Sequence, residues 1–295
     1  MRAYQLYLGF LGFNVNGLDL RPLSLGEILD RTFSLYRRHF LLFAGICALP
    51  NAVVLVAELI RTLLMPNAVL TGTNVAQNPL STILWGLSAI FTFLLTIGAY
   101  SVGLGAIIYA VADLYLGRPT SMAQSVRHAI SEFWSVIGIS WLNGFAVLLG
   151  TIFLIIPGIY FACRLLVCLP AGLVEKRGPG DSLGRSKTLT ADSAGRSFVI
   201  LLLYLVVTYS LWLALGLAIA IGVTVRDPSA VRSATILLQF GGFIVGSIAT
   251  PIFAISTSVF YFDLRVRKEA FDLQFMMNPD SERSTPSDRG LSLLP

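Results

Sequence analysis

An all-α integral membrane protein with six transmembrane helices is what three features of this chain dictate. Hydrophobic residues fill 55% of its 295 positions and charged residues only 13%, about half the charge of a soluble domain. The apolar residues are gathered into long runs that carry almost no charge. The basic residues fall almost entirely on one side of those runs. A mean hydropathy of +0.76 is too apolar for a surface facing water. It excludes intrinsic disorder, a nucleic-acid-binding domain and an ordinary soluble enzyme.

The spans follow in order. Phe40–Leu64 holds two charges, Glu58 and Arg61, both near its far end. Residues 82–112, 197–225 and 233–262 hold none, and 133–174 holds one, Arg164. A bilayer core takes roughly 20 apolar residues per helix, so 133–174 is long enough for two helices. Pro157-Gly158 lies in its middle, a turn dipeptide where a tight hairpin is expected. The longer runs exceed a single crossing and must tilt, kink or project. Residues 1–21 are weakly patterned and read as a flexible N-terminal extension, since no small-x-small cleavage site follows their apolar stretch. Residues 22–273 form the membrane domain. Residues 274–295, rich in Pro, Ser, Asp and Arg toward the end, read as a disordered cytoplasmic tail.

Charge placement tests the span count. With six helices and both termini on one side, that side collects 17 of the 21 basic residues. Arg61, Arg226 and Arg232 fall on the other side and Arg164 inside. The positive-inside rule then puts both termini in the cytoplasm. The net charge of +5 is thereby accounted for by topology, and no nucleic-acid partner is expected.

The segments before the odd-numbered spans resemble one another. Pro22 leads to Ser24 and Glu27, Pro119 leads to Ser121 and Gln124, and Pro179 leads to Asp181. The first two are capping-box pairs, in which the hydroxyl accepts an orphan N–H and the residue at +3 reaches back. Asp181 is placed to cap the third. In the first segment Leu25, Ile28, Leu29, Phe33 and Tyr36 share one helical face, with charges toward the other. Such a helix suits the membrane interface better than a cap over the bundle. The domain is thus three units of an interfacial helix plus a transmembrane hairpin, at 22–117, 119–177 and 179–268. All three share one orientation, unlike the inverted repeats of many secondary transporters.

Few residues here carry chemistry. Arg164 lies seven residues after Pro157 and eleven before Glu175, which predicts a position near mid-bilayer. A charge there costs at least ~2.5–3.5 kcal/mol and should be paired. Asp113 and Asp263, reached by snorkelling, or Tyr160 one turn back, are the candidate partners. A structural ion pair or carbonyl clamp is one reading, and an anionic-headgroup or substrate contact the other. Pro50, Pro170 and Pro251 lie inside spans and can kink them. Ser101 with Gly105, and Gly242 with Gly246, permit close helix packing. Arg37, Arg38, Arg265, Arg267 and Lys268 form a basic cytoplasmic rim, first as topology anchors and second as an attractor of anionic lipid at about 1 kcal/mol each. Cys47, Cys163 and Cys168 sit in apolar stretches and read as small buried hydrophobes, while His39 and His128 lack zinc-site spacing. No metal and no cofactor is expected. Gly180 to Gly184 matches G-x-S-x-G, but no strand precedes it and both histidines lie upstream, so the match is chance.

Three strings carry a family resemblance: LSLGEILDRTFSLYRRHF from Leu23 to Phe40, IPGIY from Ile156 to Tyr160 followed by Arg164, and YFDLRVRKEAFDL from Tyr261 to Leu273. Together they resemble the glycerophosphoryl diester phosphodiesterase membrane domain, a bacterial integral-membrane domain, over about 22–273. Some members fuse that domain to a phosphodiesterase barrel. This chain leaves no room for the barrel and lacks its His-Arg-Gly and metal-carboxylate motifs. The resemblance implies the membrane fold in a bacterial inner membrane, and neither the hydrolase activity nor any catalytic residue.

The expected function is therefore non-enzymatic: organising or sensing lipid, anionic lipid included, or scaffolding a membrane-protein partner. A transporter using Arg164 and the proline-kinked helices is the alternative. A membrane-embedded lipid enzyme is the third reading, disfavoured because no nucleophile or acid–base pair is recognisable. Topology is directly testable. A reporter active only outside the cytoplasm, fused to the C-terminus, is expected to stay silent, and signal from it would overturn the six-span arrangement.

Overall fold

The computed structural model describes residues 23–64, 79–115, 118–222 and 228–269. The expected N-terminal extension 1–21 and C-terminal tail 274–295 lie outside them. The described residues form ten helices and no strand. In chain order these are α1 (Leu25–Arg38), α2 (Phe40–Leu64), α3 (Pro79–Tyr115), α4 (Met122–Ser131), α5 (Phe133–Phe153), α6 (Ile155–Arg164), α7 (Cys168–Val174), α8 (Pro179–Leu189), α9 (Ala194–Gly222) and α10 (Pro228–Glu269). Six stretches are long and apolar enough to cross a membrane: Phe40–Leu64, Ile83–Tyr115, Phe133–Phe153, Ile155–Val174, Ala194–Ala220 and Val231–Glu269. They lie at the six expected places, and the chain is an all-α multi-pass membrane protein.

The short helices start largely as the sequence directs. Ser24 caps α1 by accepting the Glu27 N–H at 3.3 Å, and the Glu27 carboxylate accepts the Ser24 N–H at 2.7 Å. Ser121 caps α4 by accepting the Gln124 N–H at 3.3 Å. The third start differs. Gly178 is the N-cap of α8, and no side chain caps it. Pro179 occupies the first helical position, where its missing N–H costs nothing. Asp181 lies inside the first turn, where it complements the positive end of the helix dipole. The buried face of α1 comprises Ile28, Thr32 and Tyr36. It packs against α10, and the Tyr36 hydroxyl donates to the Ile248 carbonyl at 3.1 Å. That face is thus used by the bundle.

The hairpin turn is not at Pro157-Gly158. The chain reverses at Leu154, the one extended residue between α5 and α6 (φ −166°, ψ 147°). Pro157 falls in the first turn of α6, where helical N–H groups have no partner in any case. Gly158 serves a contact instead. A Cβ there would meet Thr151 Cα at 2.8 Å, and one on Gly150 would meet Gly158 Cα at 3.2 Å. The two legs pack almost backbone to backbone, as small residues allow in membranes.

The fourth span is broken. Leu165 and Val167 leave helical geometry, and the chain resumes as α7, whose residues Cys168 to Leu173 are all buried. Pro170 supplies the reason. In an unbroken helix its missing N–H and its ring would fall against the Leu166 carbonyl, the middle of the break.

Burial separates an inner helix from outer ones. In α10 the most apolar window is 72% buried, against 6% in α9 and 17% in α5. Ala254 to Tyr261 are buried on every face, the mark of a helix surrounded by others. Around this segment pack α1, α2, α3, α7, α8 and α9. The outer helices expose Leu148, Phe153, Val206 and Leu213 where lipid can cover them. The small-residue motifs act within the chain: Gly105 faces Val136 and Leu173, Gly242 faces Trp212, and Gly246 faces Asn51.

Gly158→Ala is expected to force α5 and α6 apart at a cost of about 1–3 kcal/mol. Thermal unfolding in detergent checks this against Gly86→Ala, whose Cβ would meet nothing within 4 Å. Equal melting temperatures for the two variants would refute the close contact.

Candidate functional site

Arg164 is the last residue of α6, and the break that follows decides its surroundings. Ending the helix orphans its carbonyl. The Ser186 and Thr190 hydroxyls, from α8 and its C-cap, donate to that carbonyl at 2.9 Å each. Its guanidinium lies 5.9 Å from the Tyr160 ring centre and within electrostatic reach of Asp192. Asp192 itself pairs with Lys268 near the end of α10. Arg164 is thereby joined through Asp192 to the charged end of the bundle. Tyr160 is beside it as expected. Asp113 and Asp263 are not, and among the described residues no carboxylate forms an ion pair with Arg164.

Asp263 is occupied elsewhere. Its side chain is wholly buried, and it accepts the Leu23 N–H at 2.7 Å, Arg267 Nε at 2.8 Å and Arg196 at 3.4 Å. Arg267 also donates to the Leu23 carbonyl. A second network centres on Glu175, just past α7. It accepts from Arg177 Nε at 2.6 Å, Arg185 Nε at 2.9 Å and the Tyr261 hydroxyl at 3.0 Å. Arg185 continues to Glu269, which Arg265 also reaches at 3.0 Å. The basic rim is thus divided. Arg265, Arg267 and Lys268 are bonded to the bundle's own carboxylates, while Arg37 and Arg38 stand exposed at the end of α1. Sequence reading missed Glu175, Arg185, Ser186 and Thr190, because Tyr261, Glu269 and the Arg164 carbonyl, which they meet, lie 22 to 86 positions away.

Among the described residues, cavities between the spans include an apolar groove and a polar chamber. The first is a groove of about 600 Å³ among α3, α5, α6, α7, α9 and α10. Its walls are mainly aliphatic and aromatic, including Phe93, Ile97, Leu148, Leu166, Leu169 and Phe253. Ser140 Oγ and Asn143 Oδ1 are buried there without a hydrogen-bond partner. The second, of about 490 Å³, lies among α2, α3, α9 and α10 toward the end away from the charged networks. Its walls include Asn51, Glu58, Arg61, Thr208, Thr235 and Gln239. Arg61 Nε, Thr208 Oγ1 and Gln239 Oε1 are buried in it without partners among the described residues. Each such atom costs about 1–3 kcal/mol unless something bonds to it. Tyr100 lines both cavities, its hydroxyl 3.4 Å from that of Tyr204. Tyr204 in turn packs on Phe253 with ring centres 4.4 Å apart. These three rings form the partition. Among the described residues no cluster of three or more His, Cys, Asp or Glu is placed to hold a metal.

No family model, curated protein or solved structure matches the chain.

The Glu175 network sets a pH dependence. Burial works to raise the Glu175 carboxyl, but hydrogen bonds from Arg185, Arg177 and Tyr261 outweigh it and hold the group below its ordinary 4.5. A depressed folded value makes this stabilisation complete above pH 4.5 and removes it as pH falls through the folded value. The melting temperature in detergent is expected to drop on acidification. Glu175→Gln should start lower, by about 1.5–3 kcal/mol for the lost charged hydrogen bonds, and fall less steeply. Parallel curves for the two proteins would remove Glu175 from this role.

Proposed function

We propose that this is a non-enzymatic lipid-binding protein of a bacterial inner membrane, with both termini in the cytoplasm, that organises or senses lipid. The apolar groove carries this reading. It lies among the membrane spans and falls within the roughly 300–1,000 Å³ of small-molecule sites. Its lining fits a hydrocarbon chain, and the Ser140 hydroxyl and Asn143 carbonyl offer hydrogen bonds to an ester or hydroxyl near such a chain. The basic-residue distribution supports the orientation. The three strings resembling the glycerophosphoryl diester phosphodiesterase membrane domain agree with a bacterial membrane setting.

One observation favours a second reading, a carrier for small solutes: the polar chamber beyond the Tyr100–Tyr204 partition. That reading no longer needs Arg164, whose contacts lie at the bundle's charged end.

Native mass spectrometry of gently extracted protein separates these readings. A lipid adduct is expected to survive extraction. Ala162→Trp, which fills the groove from α6, should lose that adduct while keeping its helical circular dichroism. An adduct equally retained by the variant would rule out the groove. Uptake of a defined solute into proteoliposomes, abolished by a chamber substitution, would favour the carrier.

A further inference from the structure

The polar chamber joins two opposite charges and several hydrogen-bonding groups that the described residues leave unmatched. Glu58 and Arg61 are one helical turn apart on α2 and both line it, yet they form no ion pair with each other. Residues at that spacing are neighbours able to pair, so each charge is presented separately. Gln239 faces them from α10. Its amide nitrogen donates to Thr62 Oγ1 at 2.7 Å and to the Glu58 carbonyl at 3.4 Å. A carbonyl only accepts, so the amide cannot be flipped. Gln239 Oε1 is thereby fixed as an acceptor with no partner among the described residues. Arg61 Nε adds a buried donor and Thr208 a buried hydroxyl, likewise unmatched. Buried polar atoms of this kind are normally satisfied.

We infer that the chamber binds a zwitterion carrying an ammonium group and an anionic oxygen group. The ammonium would pair with the Glu58 carboxylate and donate to Gln239 Oε1. The carboxylate or phosphate would take the Arg61 guanidinium and the Thr208 hydroxyl. This chemistry belongs both to a phosphoethanolamine headgroup and to a dissolved amino acid. The inference stands on the chamber and does not depend on lipid in the groove.

Trp212 lines the chamber and is its reporter. The full chain is placed in phosphatidylglycerol nanodiscs, and its fluorescence is compared with that of Trp212→Phe to isolate the Trp212 signal. One arm replaces part of the lipid with phosphatidylethanolamine. The other adds free O-phosphoethanolamine or glycine. A saturable change is expected in at least one arm. A response to the lipid alone identifies a headgroup, and a response to the free probes identifies a solute; both support the inference. Glu58→Gln and Arg61→Gln should each weaken binding at least tenfold. Thr208→Val, nearly isosteric and uncharged, should weaken it a few-fold even if a charge variant does not fold. Ala162→Trp should leave the response intact, so chamber and groove fail separately. No saturable response in either arm, or natural affinity in every chamber variant that folds, would overturn the inference.

Discussion

The wholly buried carboxylate of Asp263 is the constraint on which the charged end of this bundle depends. An ionised group there must be paired and hydrogen-bonded to be tolerated. It finds the Leu23 N–H, Arg267 and Arg196, drawn from the start of α1, from α10 itself and from the start of α9. Arg267 closes the loop by donating to the Leu23 carbonyl. One side-chain pair thus satisfies both backbone groups of a single residue, as a neighbouring strand would. The amphipathic α1 is held along α10 by this clasp at one end and by Tyr36 at the other. The Glu175 network repeats the principle one layer away, tying α7 and α8 to the end of α10.

The broken fourth span links that charged end to the apolar groove. An unbroken helix over Ile155–Val174 would continue straight past Arg164. The break at Leu165 to Val167 instead turns the chain into the bundle as α7. Hydroxyls from α8 and its C-cap then satisfy the orphaned carbonyl of Arg164. The same break contributes Leu165, Leu166, Leu169 and Pro170 to the groove wall. A proline that looks like a local defect therefore shapes a cavity.

Much of the architecture was legible because membrane burial writes itself into composition. The six spans follow from charge-free runs, and two of the three helix starts follow from Ser24 with Glu27 and Ser121 with Gln124. Local signals also misled where tertiary context decided. Pro157-Gly158 is a turn dipeptide by propensity, yet proline is equally at home in a first helical turn, and the glycine was needed for contact with Thr151. Arg164 drew attention as the one charge in a long apolar run, but its setting depended on where the span broke. The chamber was the least legible feature. Glu58 and Arg61 read as boundary charges at the end of a span, and Gln239, Tyr204 and Thr208 are uncharged residues in other runs. Only packing α10 against both α2 and α9 makes them neighbours.

The helix at the centre of the bundle is made after the helices that pack on it. Helix α10 occupies the centre that the earlier spans surround, and Leu23 waits 240 positions for the carboxylate that fixes it. A chain emerging from the ribosome makes α2, α3 and α9 before their common partner α10 exists. Until α10 arrives, the faces that will pack on it can meet only lipid or one another. Packing on α10 therefore has to follow its synthesis, and draws earlier helices around a later one.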